Sequence, residues 1–145
     1  MNKLLPPEGF EPIKKNRFLV LFPDEFEIHP IFVRTITLPK QEIISVAETS
    51  YFTVKFTKKI KMSDCFIELM PTYGDNLLKK LFNIQSSGKV FDFTIQILDP
   101  IGFVVNEYIM TSSIINEIVV ETLDYKCDEP INYKVRLSID KFIIL

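Results

Sequence analysis

Phe91-Asp92-Phe93-Thr94-Ile95-Gln96-Ile97-Leu98-Asp99-Pro100-Ile101-Gly102 reads as a strand that runs into a tight turn. Phe91, Phe93, Ile95 and Ile97 alternate with Asp92, Thr94 and Gln96, the period of a strand with one face on a core. Asp99, Pro100 and Gly102 hold the first, second and fourth positions of a type I turn, so residues 103–110 are expected to fold back as a hairpin partner. Beyond it, residues 114–121 read as another strand and 124–130 as a polar loop. Tyr133, Val135, Leu137 and Ile139 then line one face of a closing strand. The alternation shifts between Ile139 and Phe142, which places a bulge or a strand end there.

Working back toward the N terminus, the one helical pattern follows Pro71. Thr72 and Asp75 have capping-box spacing, and Leu77, Leu78, Leu81 and Phe82 form a core-facing stripe, with Lys79, Lys80 and Asn83 pointing away. Ser86-Ser87-Gly88 ends it. Residues 65–70 read as a strand. Before that, residues 51–58 alternate with Phe52, Val54 and Phe56 on one side and Thr53, Lys55 and Thr57 on the other, and pair with 42–46 as a hairpin. Lys58-Lys59-Ile60-Lys61 reads as a solvated strand end that resists aggregation. Residues 31–38 form a β-branched, aromatic-rich strand stopped at Leu38-Pro39. Residues 16–22 form a strand apolar on both sides, with Phe18, Val20 and Phe22 opposite Leu19 and Leu21. Pro6, Pro7, Gly9 and Pro12 mark residues 1–15 as an extended arm, leaving 16–145 as a single domain. Strands without strand–helix alternation predict a mainly β fold, an antiparallel barrel or sandwich of two packed sheets with one short α-helix.

Composition sets the limits around this pattern. A chain of 145 residues has room for one core. Hydrophobic residues make up 47% and Phe occurs 13 times, so a packed interior is expected. The balance of 17 basic and 19 acidic residues gives no excess to drive tight binding to DNA or anionic lipid. The N terminus lacks the pattern of a signal peptide, and no segment approaches the ~20 apolar residues of a membrane-spanning helix, so no membrane anchor is expected. Cys65 and Cys127 are expected as reduced, partly buried thiols.

The inventory for chemistry is thin, and neither catalysis, metal nor cofactor is expected. His29 is the single histidine and sits in a loop before Pro30, where a solvated ring is the expected state. Gly9, Gly74, Gly88 and Gly102 are scattered and build no phosphate-cradling loop. The acidic stretches 24–27 and 124–129 lack the rhythm of a calcium loop. Without tryptophan, and with aromatics mostly at inward positions, a stacking platform for bases or sugars is not expected. A β-rich chain with several two-sided apolar strands must instead bury edges or faces against a neighbour.

The order of motifs resembles the tail tube protein family of contractile-tailed bacteriophages, related to the Hcp ring protein of type VI secretion. The likeness runs over residues 16–143. It is carried by the opening Asn16-x-Phe18-x-Val20 strand, the strand ending at Leu38-Pro39, the 42–59 hairpin and the 64–70 strand with its helix. The hairpin around Gly102 and the Tyr133-x-Val135-x-Leu137-x-x-Asp140 strand complete it. The resemblance implies a structural virion protein that forms homohexameric rings stacked into a hollow tube, assembled in the host cytoplasm and resident in the virion tail. Its implied partners are further copies of itself and the sheath, baseplate and tape-measure proteins, with DNA passing through without specific binding. The family's long hairpin reaches the neighbouring ring, which maps an inter-ring interface onto Ser45, Val46, Ala47, Glu48, Thr49, Ser50, Tyr51 and Phe52. A baseplate-proximal initiator or terminator ring of the same fold is the alternative within the family. A small-ligand-binding barrel, expected to hold a large closed cavity, is the alternative outside it, with an enzyme built on His29 a weaker third.

Overall fold

A computed structural model describes residues 11–145; the first ten positions of the expected arm lie outside the described residues. Residues 11–15 are exposed and outside any helix or strand. The strands are β1 (Phe18–Leu21), β2 (Val33–Thr37), β3 (Gln41–Thr49), β4 (Val54–Met62) and β5 (Cys65–Leu69). Helix α1 (Leu77–Ser86) follows, then β6 (Phe91–Leu98), β7 (Val104–Val120), β8 (Tyr133–Ser138) and β9 (Lys141–Ile144). The order across the main sheet is β1-β6-β7-β8-β5-β2, with β9 also on β7 and every pairing antiparallel. Strand β7 serves both halves: its first part pairs with β6 and β9, its second with β8. Two antiparallel sheets thus share one long strand, and β3 with β4 stands apart as a separate two-stranded sheet.

The two strands expected over 103–110 and 114–121 are one. The polar run Thr111-Ser112-Ser113 reads as a break, but Ser112 takes a left-handed φ of 49° and bulges the strand without ending it. Its N–H donates to Asp92 Oδ1 at 2.9 Å, which holds the bulge against β6. The register shift expected between Ile139 and Phe142 is the step from β8 in one sheet to β9 in the other. The expected strand over 31–38 is shorter, because Pro30–Phe32 form a 3-10 turn ahead of β2.

The core fills the space between the sheets. Val20, Phe93, Ile95 and Met110 meet Ile67, Leu69, Val135 and Leu137, with Leu77, Leu81 and Ile84 of the helix and Phe26 and Ile28 of the β1–β2 connection closing one side. Phe26 and Phe91 pack edge to face at 4.9 Å. The gap left among these side chains is about 10 Å³, which is at most the space of one water. That gap is far smaller than the closed cavity a ligand-binding barrel needs.

Helix α1 starts later than the capping box implies. Asp75 lies ahead of the helix and its Oδ1 accepts from Leu77 N at 2.9 Å, while Oδ2 accepts from the N–H and hydroxyl of Thr72. The stripe is rotated accordingly: Leu77, Leu81 and Ile84 are buried and Phe82 is 44% exposed. Gly88 ends the helix at a φ of 64°, a conformation that glycine adopts without a Cβ penalty. Cys65 is buried as expected, but Cys127 is exposed, as are all residues from 122 to 131 in the connection that carries it.

Candidate assembly interface

Strands β3 and β4 pair in unbroken register from Gln41↔Met62 to Thr49↔Val54. Lys40 and Ser63 clamp the root: Lys40 N donates to Ser63 Oγ at 2.6 Å and Ser63 N to Lys40 O at 2.9 Å. At the tip Ser50 and Thr53 exchange backbone bonds of 2.9 and 3.3 Å, with their hydroxyls 2.6 Å apart, so Tyr51 and Phe52 form a two-residue loop. The strand expected from residue 51 therefore begins at Val54, and the four-residue Lys58-to-Lys61 run lies within β4 instead of at its end.

Register and pleat divide this hairpin into two unlike faces. Ile43, Ala47, Val54, Phe56 and Ile60 share one, with the Ser45–Lys58 pair in its middle. The other carries Glu42 opposite Lys61 and Glu48 opposite Lys55, with Ile44 beside Lys59. Only Val46 and Met62 of the two strands are even partly buried. Phe56 is 72% exposed, and Ile43, Ile60 and Val54 are comparably bare. The alternation that predicts a strand here thus generates an apolar face that the subunit does not cover. Uncovered apolar side chains grouped on one face are the kind of surface that a partner covers.

Of the sequence-predicted interface residues, Ser45 to Thr49 form the outer half of β3, and Ser50, Tyr51 and Phe52 form the tip. The Tyr51 and Phe52 rings are almost fully exposed, with centroids 6.3 Å apart. Phe56 and Ile60, opposite that half of β3 and its root, belong to the same surface and were not among the predicted residues. Their signal was present in the alternation of 54–60. The expectation that aromatics mostly point inward is corrected. Phe52, Phe56, Phe66, Phe103, Tyr73 and Tyr125 all stand at the surface, while Phe26, Phe91 and Phe93 are buried.

The candidate chemical groups stay apart. His29 Nδ1 accepts from Ile31 N at 3.0 Å and caps the 3-10 turn, and no carboxylate pairs with the ring among the described residues. Glu25 pairs with Lys89, and Asp124 Oδ1 takes the N–H of Lys126 at 3.0 Å. Among the described residues no three His, Cys, Asp or Glu side chains gather as a metal site, and no helix is long and apolar enough to cross a membrane. One polar network escaped the sequence reading: Arg136 on β8 bonds Asp64 at 2.9 Å and Glu117 at 3.2 Å, tying β8 to its neighbours. The hydrogen bond from Arg136 to Asp64 holds its guanidinium pKa above the ordinary value.

No family model and no curated protein matches this sequence. Solved structures do. A chain of the sheath-tube complex of an extracellular contractile injection system in the extended state superposes with a TM-score of 0.71 at 15% identity, covering 92% of this chain and 91% of that one. The tube-terminating cap of the anti-feeding prophage gives 0.75 at 13% identity, over 99% and 97% of the two chains. Hcp1 from Flavobacterium johnsoniae gives 0.51 at 12% identity, over 77% and 84%. At such identities the likeness is one of fold, and at that level the resemblance to tail tube and Hcp proteins is borne out. The chain has the Hcp-like tube fold.

Proposed function

We propose that this chain is a structural tube subunit: a homohexameric ring component that stacks with further rings into the hollow tube of a contractile tail. The observation that carries the reading is the β3–β4 hairpin, an arm with one apolar and one charged face projecting from a filled sandwich that leaves that apolar face uncovered. The fold shared with tube, cap and Hcp proteins supports it. In this reading residues 45–52 contact the adjacent ring, sheath, baseplate and tape-measure proteins are the partners, and DNA passes through the channel without specific binding. The virion tail of a bacteriophage is the proposed location, with assembly in the host cytoplasm.

A second reading within the same fold is a terminator or baseplate-proximal ring. It is favoured by superpositions on a tube-terminating cap and on a sheath/tube terminator that match or exceed the one on the sheath-tube complex. Negative-stain imaging and light scattering of the purified protein separate the readings. A main tube subunit gives stacks whose length grows with concentration, and a terminator gives single rings that do not polymerise. A strictly monomeric species at high concentration rejects both.

A further inference from the structure

Two short links join the β3–β4 hairpin to the body: residues 38–40, entering from β2, and residues 63–64, leaving into β5. The Lys40–Ser63 clamp closes these links on each other. It makes the root one unit but does not fix the direction in which that unit leaves the sandwich. The strands themselves are almost wholly exposed, so packing on the body does not fix it either. Two links with no further tie form a hinge.

Asp64 supplies the tie. Cys65 pairs with Leu137 and Phe66 with Arg136, so Asp64 falls one step beyond that ladder, opposite Ser138 and on the same outer face as Arg136. Its carboxylate takes two bonds from β8, Oδ2 from Arg136 Nη1 at 2.9 Å and Oδ1 from Ser138 Oγ at 3.3 Å. Both donors are themselves anchored on β7. Arg136 Nη2 donates to Glu117 at 3.2 Å, and Ser138 Oγ accepts from Asn116 Nδ2. Asn116 is the extra residue where the β7–β8 register shifts between Ile115 and Glu117, and its carbonyl takes Gln85 Nε2 of α1 at 3.0 Å. A run of polar contacts therefore passes from α1 through β7 and β8 to the hairpin's outgoing link. Among the described residues, no other side-chain hydrogen bond or ion pair joins residues 38–64 to the body.

We propose that Asp64, held by Arg136 and Ser138, is the positioning residue of the hairpin, setting the angle at which the arm leaves the sandwich and hence where its uncovered face is presented. Arg136 spans two carboxylates with separate nitrogens, a fork that the single ammonium of lysine does not reproduce. Both partners of the Arg136–Asp64 pair are about a third exposed, and ion pairs in that setting add little to global stability. Losing the tie therefore frees the arm while the sandwich stays folded. The role belongs to the free subunit, so it holds or fails apart from ring stacking.

The test measures the arm's direction in the full chain. In a Cys127→Ser background, which removes the exposed native thiol, Thr49→Cys on the hairpin and Lys134→Cys on β8 carry nitroxide labels, and pulsed electron paramagnetic resonance gives the distribution of distances between them. A narrow distribution is expected with the tie intact. Asp64→Ala and Arg136→Met are each expected to widen it by about twofold or more, as a released hinge samples more directions. Glu117→Gln is the control, because it breaks the other arm of the same guanidinium fork without touching the hairpin's link, and its distribution should match that of the unaltered background. Thermal midpoints of all variants are expected within a few degrees of one another, as for surface ion pairs. A distribution already broad with the tie intact, no widening in Asp64→Ala, or equal widening in Glu117→Gln overturns the proposal.

Discussion

Asp75 accepts three hydrogen bonds from groups just ahead of and within the first turn of α1, and the backbone bond from Leu77 is the chief reason its carboxyl is held below the ordinary range. Such a depressed group contributes stability that is present above the unfolded carboxylate pKa and is lost as pH falls through the lower folded value. Asp75→Ala is expected to lower unfolding stability by about 1 kcal/mol at neutral pH, as a lost cap does. Urea melts at pH 7 and pH 3 check this, because the difference between variant and wild type should shrink in acid. The two thiols behave oppositely. Burial, and secondarily the charge of Asp64, push Cys65 up to about 12, and Cys127 is exposed. A thiol reagent at pH 8 is therefore expected to label Cys127 alone in the native protein, and both after denaturation. The sequence showed two isolated cysteines but not this difference, because nothing local to Cys127 reports how exposed the connection around it is. Cys65, by contrast, begins an alternating strand whose odd positions, Ile67 and Leu69, share its burial.

At the scale of elements, β6 and β8 were legible because their buried residues fall on the alternating apolar positions, whereas in β5 the apolar Phe66 is half exposed and in β1, apolar throughout, only Val20 is buried. The hairpin was legible as strand and misleading as to cover: alternation says which side chains share a face, never whether anything lies on it. Strand β7 was not legible as one element, since its bulge at Ser112 is built from polar residues that elsewhere end strands and is held by Asp92, twenty positions away. A hairpin of two strands clamped only at its root has little stability of its own. Amides of residues 43–59 are accordingly expected to exchange with solvent orders of magnitude faster than those of β6 and β7 in the free subunit, read by hydrogen-exchange mass spectrometry. Replacing 42–59 by a short glycine-serine turn should leave the thermal midpoint of the free subunit within a few degrees of wild type, because the body makes almost no use of the hairpin. A large fall would mean that the arm packs on the body.

For the whole molecule, folding and association divide the apolar surface between them. The sandwich buries its own core around a gap of about 10 Å³, while Ile43, Phe56, Ile60, Leu123 and Tyr125 stay in solvent. Any partner that binds the folded chain and not the unfolded one raises apparent stability by mass action. If copies of the chain are that partner, the thermal midpoint must rise with protein concentration, and each tenfold increase above the assembly threshold adds about 1.4 kcal/mol of linkage per independent association. High salt should leave most of the rise in place, since screening acts on charges and the uncovered face is chiefly apolar. The variant lacking 42–59 removes the arm and keeps the core, so its midpoint is expected to be lower in concentrated solution and equal to wild type in dilute solution. Calorimetry across a hundredfold concentration range distinguishes this from a monomer, whose midpoint does not move; a flat wild-type profile would place the hairpin's uncovered face outside self-assembly altogether.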